Sequence, residues 1–119
     1  MHKIAVIDDD IEFLKIFKDK LEFLGYECKT FSNPELAMKL ISHFDVVFLD
    51  YNLGRINGKE ILAEIKSKKK AVDVIMISGY IVDYIIKINI KNEMYSFHTK
   101  PLDFEIIKKE LDELLKKTQ

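Results

Sequence analysis

The chain has 119 residues, of which 48% are hydrophobic and 33% charged, and its formal net charge is −1. This length suits a single domain over 1–119, and the apolar content excludes a disordered chain. The balanced charge argues against nucleic-acid binding, and a single cysteine excludes an internal disulfide. Because there is no long apolar run and no leader-like N-terminus, we expect neither a membrane span nor a signal peptide. We expect a small cytoplasmic domain with no direct nucleic-acid or membrane contact.

The first predicted unit is a strand followed by a helix. The apolar run over 3–7 stops abruptly at three acids, Asp8, Asp9 and Asp10. The residues after them carry apolar side chains at helical spacing, which predicts a helix over 11–24. A strand that leads into an acidic turn and then a helix is typical of a βα unit.

Four further units follow with the same alternation. The third predicted strand, 45–49, is apolar on both faces, as a central parallel strand must be, and it ends at Asp50 before a loop over 51–57. The other predicted strands cover 26–30, 73–77 and 96–99, and the other predicted helices cover 34–42, 58–66, 81–88 and 103–116. Five such units predict an α/β fold with a parallel sheet.

Acidic side chains lie where two of these strands end. Asp8 and Asp9 follow the first strand, and Asp50 follows the third. Ligands of open parallel sheets bind outside the carboxyl ends of the strands. If the first and third strands are neighbours, these carboxylates meet in one crevice, where their repulsion requires protonation, a cation or a metal. Ligands of this kind favour Mg²⁺.

Two further polar residues, Ser78 and Lys100, follow the fourth and fifth predicted strands. Lys100 supplies a cation at the same edge of the sheet. A carboxylate beside Mg²⁺ is also a nucleophile toward phosphorus, and this reaction forms an aspartyl phosphate. The metal, the lysine and a hydroxyl would neutralise the transferring oxygens, so the set indicates phosphoryl chemistry.

These residues, in this order, resemble the receiver domain of two-component response regulators over essentially the whole chain. The resemblance implies a (βα)5 doubly wound, five-stranded parallel sheet of order 2-1-3-4-5, the flavodoxin/CheY-like fold. It implies that Asp8 and Asp9 bind Mg²⁺ together with Asp50 and the backbone carbonyl of Asn52. Asp50 resembles the phosphoacceptor of the family.

The same resemblance gives roles to residues near the last two strands. Ser78 resembles the hydroxyl residue that bonds the phosphoryl group, and the small Gly79 fits beside it. Lys100 resembles the lysine that pairs with the phosphoryl group, and Pro101 resembles the proline that a cis bond joins to it. Phe97 falls where the family has a switch aromatic.

The resemblance implies a signalling switch that catalyses only its own phosphorylation and dephosphorylation. A histidine kinase or phosphotransfer protein would donate a phosphoryl group to Asp50, Ser78 and Lys100 would close on it, and Phe97 would reorient. The face formed by the fourth helix, fifth strand and fifth helix would then change shape. Its reader would be a downstream effector or a fused output domain.

Two further expectations concern phosphate lifetime and dimerisation. We expect Asn52 and Tyr80 to tune hydrolysis of the acyl phosphate, Tyr80 by screening it from water. The predicted helix over 81–88 is apolar on more than one face, so part of it is a candidate homodimer surface within the output face. Its most regular apolar stripe consists of Ile81, Tyr84, Ile85 and Ile88.

The sequence departs from the family pattern at four places. Gly54 stands in a loop where the family usually has proline, and Ser78 replaces the commoner threonine. Phe97 replaces the commoner tyrosine, so a hydroxyl-dependent part of the switch is absent. Glu93 and Met94 replace a usual Gly-Ala pair before the fifth strand, which changes the expected shape of the output face.

Two alternative functions remain open at this point. Asp8 and Asp10 resemble the Asp-x-Asp of haloacid-dehalogenase-type phosphatases, although Glu12 stands where that motif has Thr or Val; phosphate on Asp8 rather than Asp50 would identify such an enzyme. The other is a phosphorylation-independent interaction module. A missing acceptor, lysine or acidic pair would favour it, and none is missing.

Other polar residues have plainer interpretations. Asp10 is expected only to cap the first helix, because acids favour helix N-termini. His2, His43 and His98 lie in separate predicted elements without the spacing of metal ligands. We therefore expect all four to have structural or surface roles.

Overall fold

The computed structural model describes residues 2–54, 56–69, 71–79 and 93–116, and strands and helices alternate along them. The strands are β1 (Lys3–Ile7), β2 (Glu27–Phe31), β3 (Val46–Asp50), β4 (Asp73–Ser78) and β5 (Ser96–Thr99). The helices are α1 (Ile11–Phe23), α2 (Pro34–Lys39), α3 (Gly58–Lys68) and a C-terminal helix (Phe104–Lys116). Tyr80 and the apolar stripe of the helix predicted over 81–88 lie outside the described residues.

The five strands form one parallel sheet in the order β2-β1-β3-β4-β5. The register aligns their carboxyl ends, because Asp50 pairs with Ile77 of β4 and Ser78 pairs with Thr99 of β5. This arrangement confirms the predicted flavodoxin-like α/β fold and its strand order. It also brings the polar residues at the strand ends to one edge of the sheet.

The core lies on both sides of the sheet. Every residue of β3 is buried, as its unbroken apolar run predicts for a central strand. On one side Phe17 and Leu21 of α1 pack with Leu111 of the C-terminal helix, and on the other Ile61 and Leu62 of α3 are buried. Burial of each large side chain contributes about 1.5–3 kcal/mol, so this packing holds the strand ends in place.

The segment after β3 contains regular secondary structure where a loop was predicted over 51–57. It contains a small antiparallel hairpin whose two strands are Asn52–Leu53 and Ile56–Asn57. Gly54 lies between them with φ of +62°, a backbone conformation that favours glycine. The prediction of a plain loop was wrong because strands of two residues are too short to show an alternating pattern.

The described helices are short, with 13, 6, 11 and 13 residues. The helix predicted over 34–42 divides into α2 and a separate 3₁₀ turn over Ile41–His43. The predicted boundary at residue 66 moves to Lys68 in α3. Within the described ranges, no helix has the length and apolar character needed to cross a membrane.

Candidate functional site

The β1–α1 loop carries three consecutive acids with three different environments. Asp8 is fully buried, and its Oδ1 accepts a hydrogen bond of 2.9 Å from the backbone N–H of Asp10. Asp9 is exposed. Asp10 is the N-cap of α1, since its Oδ1 accepts a hydrogen bond of 3.1 Å from the N–H of Phe13. Asp10 therefore caps the helix as predicted, whereas Asp8 and Asp9 do not serve as the cap of α1.

Asp50 ends β3, directly beside β1 in the sheet. Its side chain is buried, and its Oδ1 accepts a hydrogen bond of 3.2 Å from the N–H of Asn52. One carboxylate oxygen from each of Asp8, Asp9 and Asp50 lies within 4.8 Å of the other two. The three acids converge because β1 and β3 are parallel neighbours that end at the same edge.

Lys100 brings a positive charge to these carboxylates. Its Nζ lies 2.6 Å from Oδ2 of Asp8, and its side chain is 19% exposed. The residue follows β5, and its backbone N–H donates a hydrogen bond of 2.7 Å to the carbonyl of Ser78. The Lys100–Pro101 peptide bond is cis, the isomer that the resemblance implies. We call Asp8, Asp9, Asp50 and Lys100 together the acidic crevice.

The crowding of charge in the acidic crevice changes the protonation of Asp50. Burial, followed by the charge of Asp8, raises the pKa of Asp50 to about 7. The hydrogen bond from Asn52 and the charge of Lys100 act in the opposite direction but are weaker. Asp50 is therefore partly protonated near neutral pH, and a cation in the crevice would favour its ionised form.

The donor atoms of the acidic crevice fit a hard divalent cation. They are three carboxylates, and Oδ2 of Asp8 is buried with no directed hydrogen bond from the residues that the structure describes; its contact is the ion pair with Lys100. Mg²⁺ prefers oxygen ligands and is usually held by one or two carboxylates while it keeps several waters. Asp8, Asp9 and Asp50 are thus the residues that could hold a metal.

A cavity of about 480 Å³ opens beside the acidic crevice. Its lining consists of Asp9, Asp10, Asp50, Asn52, Gly54, Gly79 and Lys100. Ser78 is fully buried at the end of β4, and Gly79 is the residue of this strand end that lines the cavity. The structure thus places Asn52 and Lys100 in the lining of the cavity, whereas the buried Ser78 is not among the residues that line it.

Phe97, in β5, packs against the hydrophobic cluster that contains Ile61 and Leu62 of α3. It is half-buried, and its ring centroid is 6.5 Å from that of Tyr51, with the planes tilted by 51°. Tyr51 immediately follows Asp50, and its backbone N–H donates to the carbonyl of Ile77. The ring contact with Tyr51 therefore connects Phe97 to the residue that follows Asp50.

Two residues at the site were missed by the sequence analysis. The ring centroid of Phe13 lies 4.1 Å from Nζ of Lys100, although Phe13 has no sequence feature beyond its helical spacing from Phe17. Gly58 approaches the chain after β3 so closely that a Cβ there would lie 2.7 Å from Cα of Tyr51. Both depend on how the chain packs in three dimensions, which the hydrophobic pattern does not show.

A second polar group, which we call the β5 polar cluster, consists of Ser96, His98 and Glu110. Oε1 of Glu110 accepts a hydrogen bond of 2.8 Å from the Ser96 hydroxyl and lies 2.7 Å from Nε2 of His98. Ser96 Oγ is 3.2 Å from the same Nε2. A Ser-His-acid triad needs the serine and the acid on opposite ring nitrogens. The cluster therefore lacks the geometry of a hydrolase and ties β5 to the C-terminal helix.

Sequence comparisons identify the relatives of the chain. A family model described as the response regulator receiver domain matches residues 4–112. The transcriptional regulatory protein ZraR of Klebsiella oxytoca is 30% identical over 119 residues, which cover 98% of this chain and 27% of that protein. The chain spans between 27% and 35% of the length of the first three curated relatives.

Solved structures resemble the chain over its whole length. The response regulator protein TrrA of Thermotoga maritima is 30% identical, with a TM-score of 0.83 and coverage of 97% of this chain and 100% of that one. A two-component response regulator of Clostridium difficile has a TM-score of 0.91 over 100% of this chain and 99% of that one, at 24% identity. The latter similarity supports the fold.

Proposed function

Because the chain belongs to the response regulator receiver domain family, we propose that residues 1–119 form one phosphorylation-controlled signalling switch. In this proposal a histidine kinase or phosphotransfer protein supplies the phosphoryl group and Asp50 accepts it. The observation that carries the proposal is the convergence of Asp8, Asp9 and Asp50 within 4.8 Å, with Lys100 against Asp8. A cytoplasmic location, where such kinases present their phosphohistidine, is part of the proposal.

The proposed reaction transfers one phosphoryl group to Asp50. A carboxylate oxygen attacks the phosphorus, the new P–O bond forms, and the P–N bond to the donor imidazole breaks, so that the imidazole leaves with the bonding electrons. Asp8, Asp9, Asp50 and the backbone carbonyl of Asn52 would hold Mg²⁺. When bound, Mg²⁺ supplies positive charge for Asp50 and the phosphoryl oxygens. The TrrA structure was solved in complex with Mg²⁺-BeF, which supports this assignment.

Phosphorylation would then be read through Lys100, Ser78 and Phe97. It adds about −1.5 to −2 charge at Asp50, which draws the Lys100 ammonium and the Ser78 hydroxyl toward the phosphoryl oxygens. Ser78 lies fully buried at the end of β4, so its movement would displace the strand end beside β5, which carries Phe97. The proposed output face includes β5 and the C-terminal helix, and a downstream effector, a fused output domain or a second copy of the chain would read it. In addition, Asn52 and Tyr80 would tune hydrolysis of the phosphate.

The test is the intact mass of the protein after incubation with acetyl phosphate and Mg²⁺. We expect the addition of one phosphoryl group that requires Mg²⁺ and is lost in Asp50→Asn. Asp10→Asn is the matched control, because Asp10 lines the same cavity but caps α1 and is not one of the three converging carboxylates, and asparagine caps equally well. This variant should be phosphorylated like the wild type.

Other outcomes of the same experiment favour the alternative functions. Borohydride reduction followed by peptide mapping locates the acyl phosphate, and a label on Asp8 would favour a phosphatase of the haloacid-dehalogenase type. No adduct from a protein that binds Mg²⁺ would favour a phosphorylation-independent interaction module. Either result contradicts the proposed switch.

A further inference from the structure

The Lys100 ammonium lies between a carboxylate and an aromatic ring. Oδ2 of Asp8 is 2.6 Å from Nζ, and the centroid of the Phe13 ring is 4.1 Å from the same atom. A cation within about 6 Å of a ring centroid is attracted by the ring face, and the attraction strengthens when water is excluded. With 19% of the Lys100 side chain exposed, most of its stem is shielded from water.

The Phe13 ring is itself held by the core. It stacks on Phe17 with centroids 5.3 Å apart and planes at 23°, and Phe17 meets Phe48 edge to face at 4.9 Å and 88°. Phe48 is fully buried in β3, two residues before Asp50. The three rings therefore form a fixed support that connects the ammonium of Lys100 to the strand carrying Asp50.

We propose that Phe13 is a positioning residue that acts through Lys100, which deepens the proposed phosphoryl transfer and rests on it. Lysine has a flexible four-carbon stem, so its ammonium samples many positions unless packing restricts it. The Phe13 ring restricts the ammonium to the acidic crevice, 2.6 Å from Oδ2 of Asp8. The ammonium is therefore already in place when the phosphoryl group reaches Asp50, so the Lys100 side chain loses less conformational freedom during transfer.

The test compares initial rates of Asp50 phosphorylation by acetyl phosphate at saturating Mg²⁺. Phe13→Leu keeps an apolar side chain against Phe17 but removes the ring face, and we expect the rate to fall about two- to fivefold. Phe13→Tyr restores the ring face and should restore the rate.

Phe104→Leu is the matched control. The Phe104 ring also packs edge to face on Phe17, with centroids 6.3 Å apart, but it carries the ammonium of Lys20 at 5.3 Å and not that of Lys100. The same chemical change therefore removes a cation–π contact outside the crevice, and the phosphorylation rate should stay at the wild-type value. Equal losses in Phe13→Leu and Phe104→Leu would assign the effect to packing and overturn the proposal.

A double-mutant cycle in urea unfolding tests the contact without any phosphorylation. We expect Phe13→Leu and Lys100→Met to be coupled, with a two- to fivefold departure from additivity in the unfolding equilibrium constant, which is about the size of one cation–π contact. Additive effects, or an unchanged rate in Phe13→Leu, would overturn the proposal. If the wild type accepts no phosphate, the proposed function fails, whereas the cycle still reports whether Phe13 holds Lys100.

Discussion

The acidic crevice, with three acids, and the β5 polar cluster, with one, each include a basic side chain near β5, yet they differ in how completely their polar atoms are paired. In the cluster, one oxygen of Glu110 accepts from Ser96 and contacts His98, and both His98 and Glu110 are 18% exposed. In the crevice, three carboxylates converge and one ammonium contacts Asp8, whose buried Oδ2 has this ion pair but no directed hydrogen bond from the described residues.

The β5 polar cluster therefore stabilises the fold, whereas the carboxylates of the acidic crevice repel one another. Buried polar groups normally find hydrogen-bond partners, because an unpaired group loses its hydration without compensation. The β5 polar cluster follows this rule and joins a strand to a helix. In the acidic crevice, by contrast, the buried Oδ2 of Asp8 has no directed hydrogen bond from the described residues, and the pKa of Asp50 is raised to about 7. Such perturbed pKa values are typical of sites that bind a cation or carry out a reaction.

The largest expected effect is from removing the cation of the crevice. Lys100→Met leaves Asp8 buried without its ion-pair partner, so without Mg²⁺ at pH 8 the free energy of unfolding should fall by about 2–4 kcal/mol. Urea denaturation measures it. Lys20→Met is the comparison, because Lys20 lies on the exposed surface of α1 and its ammonium contacts the Phe104 ring of the C-terminal helix. This variant should change stability by less than about 0.5 kcal/mol. Similar losses in both variants would show that the ion pair between Lys100 and Asp8 contributes no more to stability than an exposed lysine does.

The next effect has the opposite sign and depends on pH. The pKa of Asp50 is raised from an ordinary value near 4 to about 7, so between these values the native state holds a proton that the unfolded chain has released. Stability without Mg²⁺ should therefore fall as pH rises from 4 through 7. Asp50→Asn should remove this slope and stabilise the protein at pH 8 by about 1–3 kcal/mol.

Asp45→Asn is the control for this pH dependence. Asp45 lies at the other end of β3, where its Oδ2 accepts a hydrogen bond of 2.9 Å from the backbone N–H of Lys3, and its side chain is 44% exposed. Asparagine can still accept that bond, and the 3.8 Å ion pair with the His2 ring that it removes is partly exposed and screened by solvent, so the variant should keep most of the wild-type slope. Urea denaturation at pH 5 and pH 8 would compare both variants, and an unchanged slope in Asp50→Asn would contradict the assignment of the titration to Asp50.

The smallest effect concerns the β5 polar cluster. Glu110→Ala removes the oxygen shared by Ser96 and His98, and the free energy of unfolding should fall by about 1–2 kcal/mol. Glu113→Ala, on the same helix, removes an exposed hydrogen bond to the Tyr95 hydroxyl and should lower stability by roughly 0.5 kcal/mol or less. Thermal or urea denaturation distinguishes the two, and equal losses would show that the cluster is no more stabilising than an exposed contact.

Much of the acidic crevice could be predicted because its residues directly follow strands that the hydrophobic pattern reveals. The runs that form β1 and β3 are apolar and end at acids, and parallel strands share a carboxyl edge, so Asp8 and Asp50 had to meet once the two strands were neighbours. The capping role of Asp10 was equally local, since an N-cap acts within three residues of itself. The hairpin beside Gly54 was missed because its strands have two residues each.

The sequence by itself therefore determined the five strands, the order of polar residues at their ends and the acids that cap or converge. These features depend on period, polarity and chain direction, which are local properties of a segment. Only the tertiary structure decided that Ser78 is fully buried, that Gly58 must lack a Cβ beside Tyr51, and that Phe13 faces Lys100. These features arise from how the helices and the segment after β3 pack on the sheet, and Phe13 and Lys100 come from opposite ends of the chain.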